Sequence, residues 1–256
     1  MTRNSLFDLS GKRALITGSA QGLGWAIAQA MAEQGAHIIL NGRHPERLQK
    51  RAQELQAQAA QVDIFVQDIT APDCGQQFDR LCQRVGTPHI LVNCVGARLR
   101  QSLTDSSDEQ IAALIQSNLT ALVVLSRRAA LAMQKQGEGG RLIQLSSISG
   151  RLARVHDTIY PITKQGVEAL VRALAVEFGP FGITSNGIAP GTFATESNEQ
   201  LARDPIKGPH VIGRNPLQRW AEPHEIAGAA VFLASHSASY VNGHILVVDG
   251  GFSIAF

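Results

Sequence analysis

Thr17-Gly18-Ser19-Ala20-Gln21-Gly22-Leu23-Gly24 follows a short β-branched run, Ala14 to Thr17, and opens a stretch of helical periodicity that reaches Gln34 and stops at Gly35. Glycines at 18, 22 and 24 suit a tight turn, close approach of backbone to a ligand, and packing of a helix on a strand. Alone they fit a plain turn equally well. Set between a strand and a helix N-terminus, where free N–H groups favour negative charge, they point to a pyrophosphate site. Gly18, Ser19, Gln21, Gly22, Leu23 and Gly24 are therefore the first candidate ligand-binding residues.

The rest of the chain repeats this unit. Apolar runs at Ala14–Thr17, Ala36–Leu40, Asp63–Val66, Ile90–Asn93, Arg141–Leu145, Ile183–Ile188 and Ile245–Val248 alternate with segments of helical spacing. Strands separated by helices predict an α/β protein with a doubly wound, mostly parallel seven-stranded sheet and helices on both faces. Ser106 with Glu109 forms a capping box for a helix running to Gln136, with Gly137 as its stop. Pro161 suits the first turn of another, ending near Phe178. No Pro/Gly/Ser linker or internal repeat divides the chain, so residues 1–256 read as one domain. Pro190 to Asn215 is the least regular segment, and a loop of that length predicts a substrate-covering role.

Composition narrows the partners. The chain has 256 residues, 44% hydrophobic and 17% charged, which is ordinary for a folded domain. A formal charge of +2 gives no field that argues for nucleic acid or an anionic membrane, leaving small molecules as the expected ligands. Cys74, Cys82 and Cys94 form no CxxC pair and fit a reducing compartment. With neither a signal-type stretch nor a membrane-length apolar run in the sequence, a cytoplasmic protein is expected. HExxH and GxSxG are both absent, so neither a catalytic metal nor a serine hydrolase is expected.

The second strand ends in Asn41-Gly42-Arg43, where a dinucleotide fold selective for NAD usually carries an acid. An acid repels a 2′-phosphate, whereas a guanidinium binds it through a planar fork of donors; the reading is NADP(H), with NAD possible. A solvated Arg43 is the plainer alternative. Asp68 and Ile69 after the third strand are placed at the adenine, and Asn93 to Gly96 after the fourth border the same ligand.

Tyr160 and Lys164 are four residues apart and share one helix face, within about 5 to 6 Å of each other. A free phenol ionises near pH 10, too high for proton transfer at neutrality, and an adjacent cation lowers it. Ser147 stands thirteen residues upstream of Tyr160, at the end of the fifth strand. Its hydroxyl can hold a carbonyl while Tyr160 protonates the developing alkoxide and a nicotinamide delivers hydride. Asn118 sits inside the apolar pattern Leu114 to Leu125, where a satisfied structural amide is the plain reading.

Taken in order, Thr17-Gly18 with Gly22 and Gly24, Asn118 with Ala121, Ser147, Tyr160 with Lys164, and Pro190-Gly191-Thr192 resemble the short-chain dehydrogenase/reductase family over about Leu9 to Gly251. The resemblance implies a Rossmann fold, with Tyr160 as general acid/base and Ser147 orienting substrate. It makes Lys164 bind the nicotinamide ribose and lower the Tyr160 pKa, and has Asn118 support a water-linked proton relay. It also implies a homotetramer or homodimer. Two positions depart from the family pattern: Cys94 in Asn93-Cys94-Val95-Gly96 stands where asparagine is common, and Gln21 where NADP users often have a basic residue. Cys94 reads as a buried apolar residue rather than a reactive thiol.

Leu40 to Arg43 and the run from Arg219-Trp220 to Gly251 further resemble gluconate 5-dehydrogenase-like members. Arg98 and Arg100, with Arg151, Arg154 and His156 ahead of Tyr160, suit a substrate carboxylate, and Arg100 and Arg154 join Ser147 and Tyr160 as substrate candidates. Arg98 and Arg151 can equally point to solvent. The sequence thus reads as an NADP-dependent ketone/secondary-alcohol oxidoreductase on a small polar substrate or sugar acid. Reduction of a 3-oxoacyl thioester and a catalytically silent cofactor-binding regulator are the alternatives.

Overall fold

The computed structural model describes residues 6–255. Seven strands, β1 (Arg13–Ile16), β2 (His37–Gly42), β3 (Val62–Val66), β4 (Ile90–Asn93), β5 (Gly140–Leu145), β6 (Ile183–Pro190) and β7 (Ile245–Val248), form one sheet. Its order is β3-β2-β1-β4-β5-β6-β7, and every pairing is parallel. All seven apolar runs read from the sequence are strands, with ends moved by a residue or two.

Side chains alternate across the sheet and build a core on each face. Ala14, Ile16, Ile38 and Leu40 point to one side with α1 (Gly22–Glu33), α2 (Pro45–Gln56) and α9 (Ala227–Ala234). Leu15, Ile39 and Leu91 point to the other, with α3 (Cys74–Val85), α5 (Ala121–Gln136) and α6 (Ile159–Phe178). Burial of both faces explains why the strands read as continuous apolar runs rather than as alternating ones.

The sheet reverses its winding between β1 and β4, so the loops leaving those strands diverge and open a crevice at the carboxyl edge, the usual ligand position in such folds. Thr17 Oγ1 ties the two loops together below the crevice by accepting from Cys94 N at 2.9 Å and Val95 N at 3.3 Å.

Three local readings need correction. The capping box belongs to Ser107 and Gln110: Ser107 Oγ accepts from Gln110 N, and Gln110 Oε1 from Ser107 N. Ser106 lies one residue outside, its hydroxyl donating to Ser102 O. The helix that follows is not one regular helix. It comprises α4 (Asp108–Ile115), a π turn over Gln116–Thr120, and α5, ending as expected at a left-handed Gly137. Pro190–Asn215 is more ordered than expected, holding α7 (Glu199–Arg203) and α8 (Lys207–Val211). The run Asp108–Gln136 has the length and mean hydropathy, 1.2, to cross a membrane. One of its faces, including Leu114, Leu122, Leu125, Ala129 and Met133, is nevertheless buried in the protein.

Candidate active site

The crevice is a cleft of about 790 Å³ running from the glycine turn to the start of α6. Gly18, Gln21, Gly22, Leu23, Gly24, Asn41, Arg43, Asp68 and Ile69 line one end; Gly96, Ser147, Tyr160, Lys164, Pro190 and Gly191 line the other. A pyrophosphate fits the first end. A Cβ on Gly24 would stand 2.7 Å from Gly18 O, so the turn can be this tight only with glycine there. The first turn of α1 has no acidic side chain of its own. Gly22 N donates instead to the Glu196 carboxylate at 2.9 Å, an anion already seated where a phosphate oxygen is expected.

Arg43 is 70% exposed and 3.7 Å from Asp68, and His44 and Arg47 line the cleft beside it. The two arginines make this end of the cleft basic, and position 41 carries no acid to oppose them. Asp68 Oδ1 accepts from Thr70 N and Oγ1. Burial works against its charge, but the Thr70 bonds and then Arg43 bring its pKa below the usual carboxylate value. Asn41 donates to the Phe65 and Gln67 carbonyls.

Three expected cofactor contacts are not cleft-lining. Ser19 is fully buried and accepts from Asn41 N at 2.9 Å, bracing the turn against β2. Asn93 is fully buried and donates to Ser126 and Gln144, joining β4 to α5 and β5 beneath the crevice. Thr192 Oγ1 is buried with no hydrogen-bond partner within the protein. In a loop or at a strand end, position in the sequence fixes the element but not the side a residue faces.

At the second end, Lys164 is 3% exposed and its Nζ donates to Leu145 O at 2.8 Å. Burial lowers its pKa to about 8. Its Nζ lies 5.6 Å from the Tyr160 ring centroid, as the four-residue spacing predicted. The expected lowering of the phenol pKa is not what the protein alone produces: burial raises it. Arg98 opposes that rise most, followed by a hydrogen bond with Ser147, and Arg100 adds to them. Ser147 Oγ also accepts from Ser149 N at 3.1 Å.

Asn118 falls in the π turn, fully buried. Its Oδ1 accepts from Ala97 N at 2.7 Å and its Nδ2 donates to Ala97 O at 2.8 Å, clamping the loop after β4. Arg98 and Arg151 do not point freely to solvent: Arg98 pairs with Asp157 and Arg151 with Glu168. Arg100 and Arg154 lie outside the cleft lining; Arg100 is close enough to interact with Arg98, with Arg154 and with Tyr160. Cys94 is only partly buried and lines the cleft, unlike the buried residue expected, but desolvation pushes its thiol up to about 12, which fits an inert side chain. Sequence reasoning missed Glu196, His44, Arg47 and Asp157. Arg47 alone left a trace, one helical turn beyond Arg43.

Comparison with known proteins agrees with this geometry. A family model described as "Enoyl-(Acyl carrier protein) reductase" matches residues 18–253. The chain is 35% identical to gluconate 5-dehydrogenase of Gluconobacter oxydans over 256 residues, the whole of both chains. It is 36% identical to L-rhamnose-1-dehydrogenase of Scheffersomyces stipitis over 248 residues, 95% of this chain and 96% of that one. A gluconate 5-dehydrogenase from Burkholderia cenocepacia, solved in complex with NADP and tartrate, superposes with a TM-score of 0.94 at 35% identity, covering 99% of each chain. With a glycine turn, a serine at a strand end and a Tyr/Lys pair brought to one crevice, and relatives matched end to end, the chain belongs to the short-chain dehydrogenase/reductase family.

Proposed function

We propose that this enzyme interconverts a ketone and a secondary alcohol on a small sugar acid, using NADP(H). The observation that carries the reading is that a single cleft joins the glycine turn and Arg43 to Ser147, Tyr160 and Lys164. When bound, the coenzyme supplies or accepts the hydride. In the reducing direction Ser147 holds the carbonyl oxygen and Tyr160 gives its phenolic proton to that oxygen as it becomes an alcohol. Lys164 and the neighbouring arginines stabilise the phenolate left behind, and Asn118 keeps the loop after β4 in place around it. Arg43, with His44 and Arg47, receives the 2′-phosphate.

Support for an acidic substrate comes from Arg98 and Arg100 beside Tyr160, with Arg154 next to Arg100. It comes also from the sugar-acid activity named for the Gluconobacter relative. Pro190–Asn215 acts as the substrate loop. A single domain assembling as a homotetramer or homodimer is supported by apolar side chains left exposed on α5 and α6, including Val123, Val124, Leu131, Ile162 and Val176. The enzyme works in the cytoplasm, consistent with three free cysteines.

The test is a spectrophotometric screen of D-gluconate and 5-keto-D-gluconate, L-rhamnose, neutral polyols and 3-oxoacyl thioesters, each with both coenzymes. Turnover highest on the sugar acids with NADP(H) is the expected result. Higher turnover on neutral sugars or thioesters overturns the substrate assignment, and coenzyme binding without turnover on any of them returns the silent regulator.

A further inference from the structure

Arg98 and Asp157 meet across the mouth of the site from two different loops, one leaving β4 and one entering α6. The Asp157 side chain is 3% exposed, and its Oδ2 accepts from Arg98 Nε at 3.1 Å and from a terminal guanidinium nitrogen as well. Held this way, the guanidinium carbon lies 4.8 Å from the Tyr160 ring centroid, inside the range at which a cation is attracted to an aromatic face. It is nearer the ring than Lys164 Nζ, at 5.6 Å, and that amine is committed to Leu145 O.

We propose that Arg98 is a positioning residue for proton transfer: anchored by buried Asp157, it fixes the Tyr160 ring and stabilises the phenolate. This rests on the reading of Tyr160 as the proton-transfer group. The charged and titratable groups facing the phenol are Arg98 and Arg100 from the loop after β4, Ser147 after β5, Asp157 ahead of α6, and Lys164 one turn along it. Among them Arg98 opposes the effect of burial most strongly, while Asp157 opposes ionisation. The aspartate therefore fixes the guanidinium at some cost to its field. An Arg planar group supplies both the stacking surface and the paired donors, which a lysine ammonium does not.

The chain's two tyrosines make this directly measurable, because Tyr240 is fully exposed and serves as an internal control. With Cζ-labelled tyrosine and saturating NADP⁺, each phenol is followed by NMR across pH, and Tyr160→Phe identifies its signal. Arg98→Gln should raise the Tyr160 midpoint by about one unit, with Tyr240 unmoved. Arg98→Lys, which keeps the charge, should bring the midpoint back at least halfway. An unchanged midpoint in Arg98→Gln reduces the Arg98–Asp157 pair to a loop staple and overturns the proposal. A midpoint in Arg98→Lys about one unit above wild type, the full shift expected from losing the charge, overturns it too, and that comparison of lysine with wild type holds even if the glutamine variant does not fold. No substrate enters this readout. Failure of the sugar-acid assignment, or an active Tyr160→Phe enzyme, is therefore separate from failure of the Arg98 role.

Discussion

The Glu196 carboxylate accepts a hydrogen bond from the Gly22 amide at 2.9 Å, bringing the segment after β6 onto the N-terminus of α1. The two residues are 174 positions apart, yet both line the cleft where the pyrophosphate is expected. A carboxylate there competes with the incoming phosphate for the same N–H and repels its charge. Glu196→Gln should therefore tighten NADPH binding about two- to fivefold, the scale of an exposed charge at a helix end. Fluorescence titration of the coenzyme reads this. Weaker binding in the variant would make Glu196 a ligand rather than a competitor.

Coenzyme choice should follow Arg43. Replacing it by aspartate exchanges a fork of donors for a charge that repels a 2′-phosphate and suits a free ribose hydroxyl. The ratio of kcat/KM for NADP to that for NAD should fall by roughly 10- to 100-fold, in line with one charge-assisted hydrogen bond of ~1.5–3 kcal/mol. Because Arg43 is largely exposed, the variant should fold normally. An unchanged ratio would transfer the phosphate to His44 and Arg47.

Removing one phenolic oxygen should separate chemistry from binding. In Tyr160→Phe the ring is kept, so NADPH affinity should stay within about twofold, while turnover falls by about 10²–10⁴, the range for a lost general acid. Stopped-flow hydride transfer beside equilibrium titration measures both. Equal losses in the two would mean that Tyr160 shapes the coenzyme pocket instead.

Lys164 should lower stability in the free enzyme. Burial reduces its pKa from 10.5 to about 8, so between these values the unfolded chain binds more protons than the folded one and stability rises with pH. Below about pH 8 the lysine is charged in both states and the full desolvation cost is present. Lys164→Met removes that cost and leaves Leu145 O without its donor, for a net gain on the order of 1–2 kcal/mol at pH 7. The melting temperature should rise by a few degrees at pH 7, and the gain should vanish by about pH 10.5. Turnover should fall in the same variant. A melting temperature lowered at pH 7 would show that the hydrogen bond to Leu145 outweighs the burial of charge.

The sheet was legible because each strand holds a short run of apolar residues, β-branched ones among them, set between helix-period segments. Ile90–Asn93 and Ile245–Val248 were even assigned to the residue. Less was legible where two local signals overlap. Ser106-Ser107-Asp108-Glu109-Gln110 contains two interleaved capping boxes, and only the extended backbone at Ser107 selects between them. Five-residue helices such as Glu199–Arg203 are too short to show a period at all. Tyr160 and Lys164 were readable because four-residue spacing sets a face. The pairing of Arg98 with Asp157, 59 residues apart, and of Glu196 with Gly22 depends on which loops the sheet order brings together, which no local pattern encodes.

The π turn at Gln116–Thr120 has a consequence for how this chain tolerates changes of length. Five residues occupy a turn that a regular α-helix completes in fewer, and the surplus aims the Asn118 amide at Ala97. Excising one residue here would let the hydrogen-bond ladder run straight from Asp108 to Gln136, a locally more comfortable helix. The swivel would carry Asn118 off the loop and release Arg98 and Arg100 from their seat. A deletion that improves the helix in isolation would thus dismantle the reaction centre, so this stretch should resist shortening.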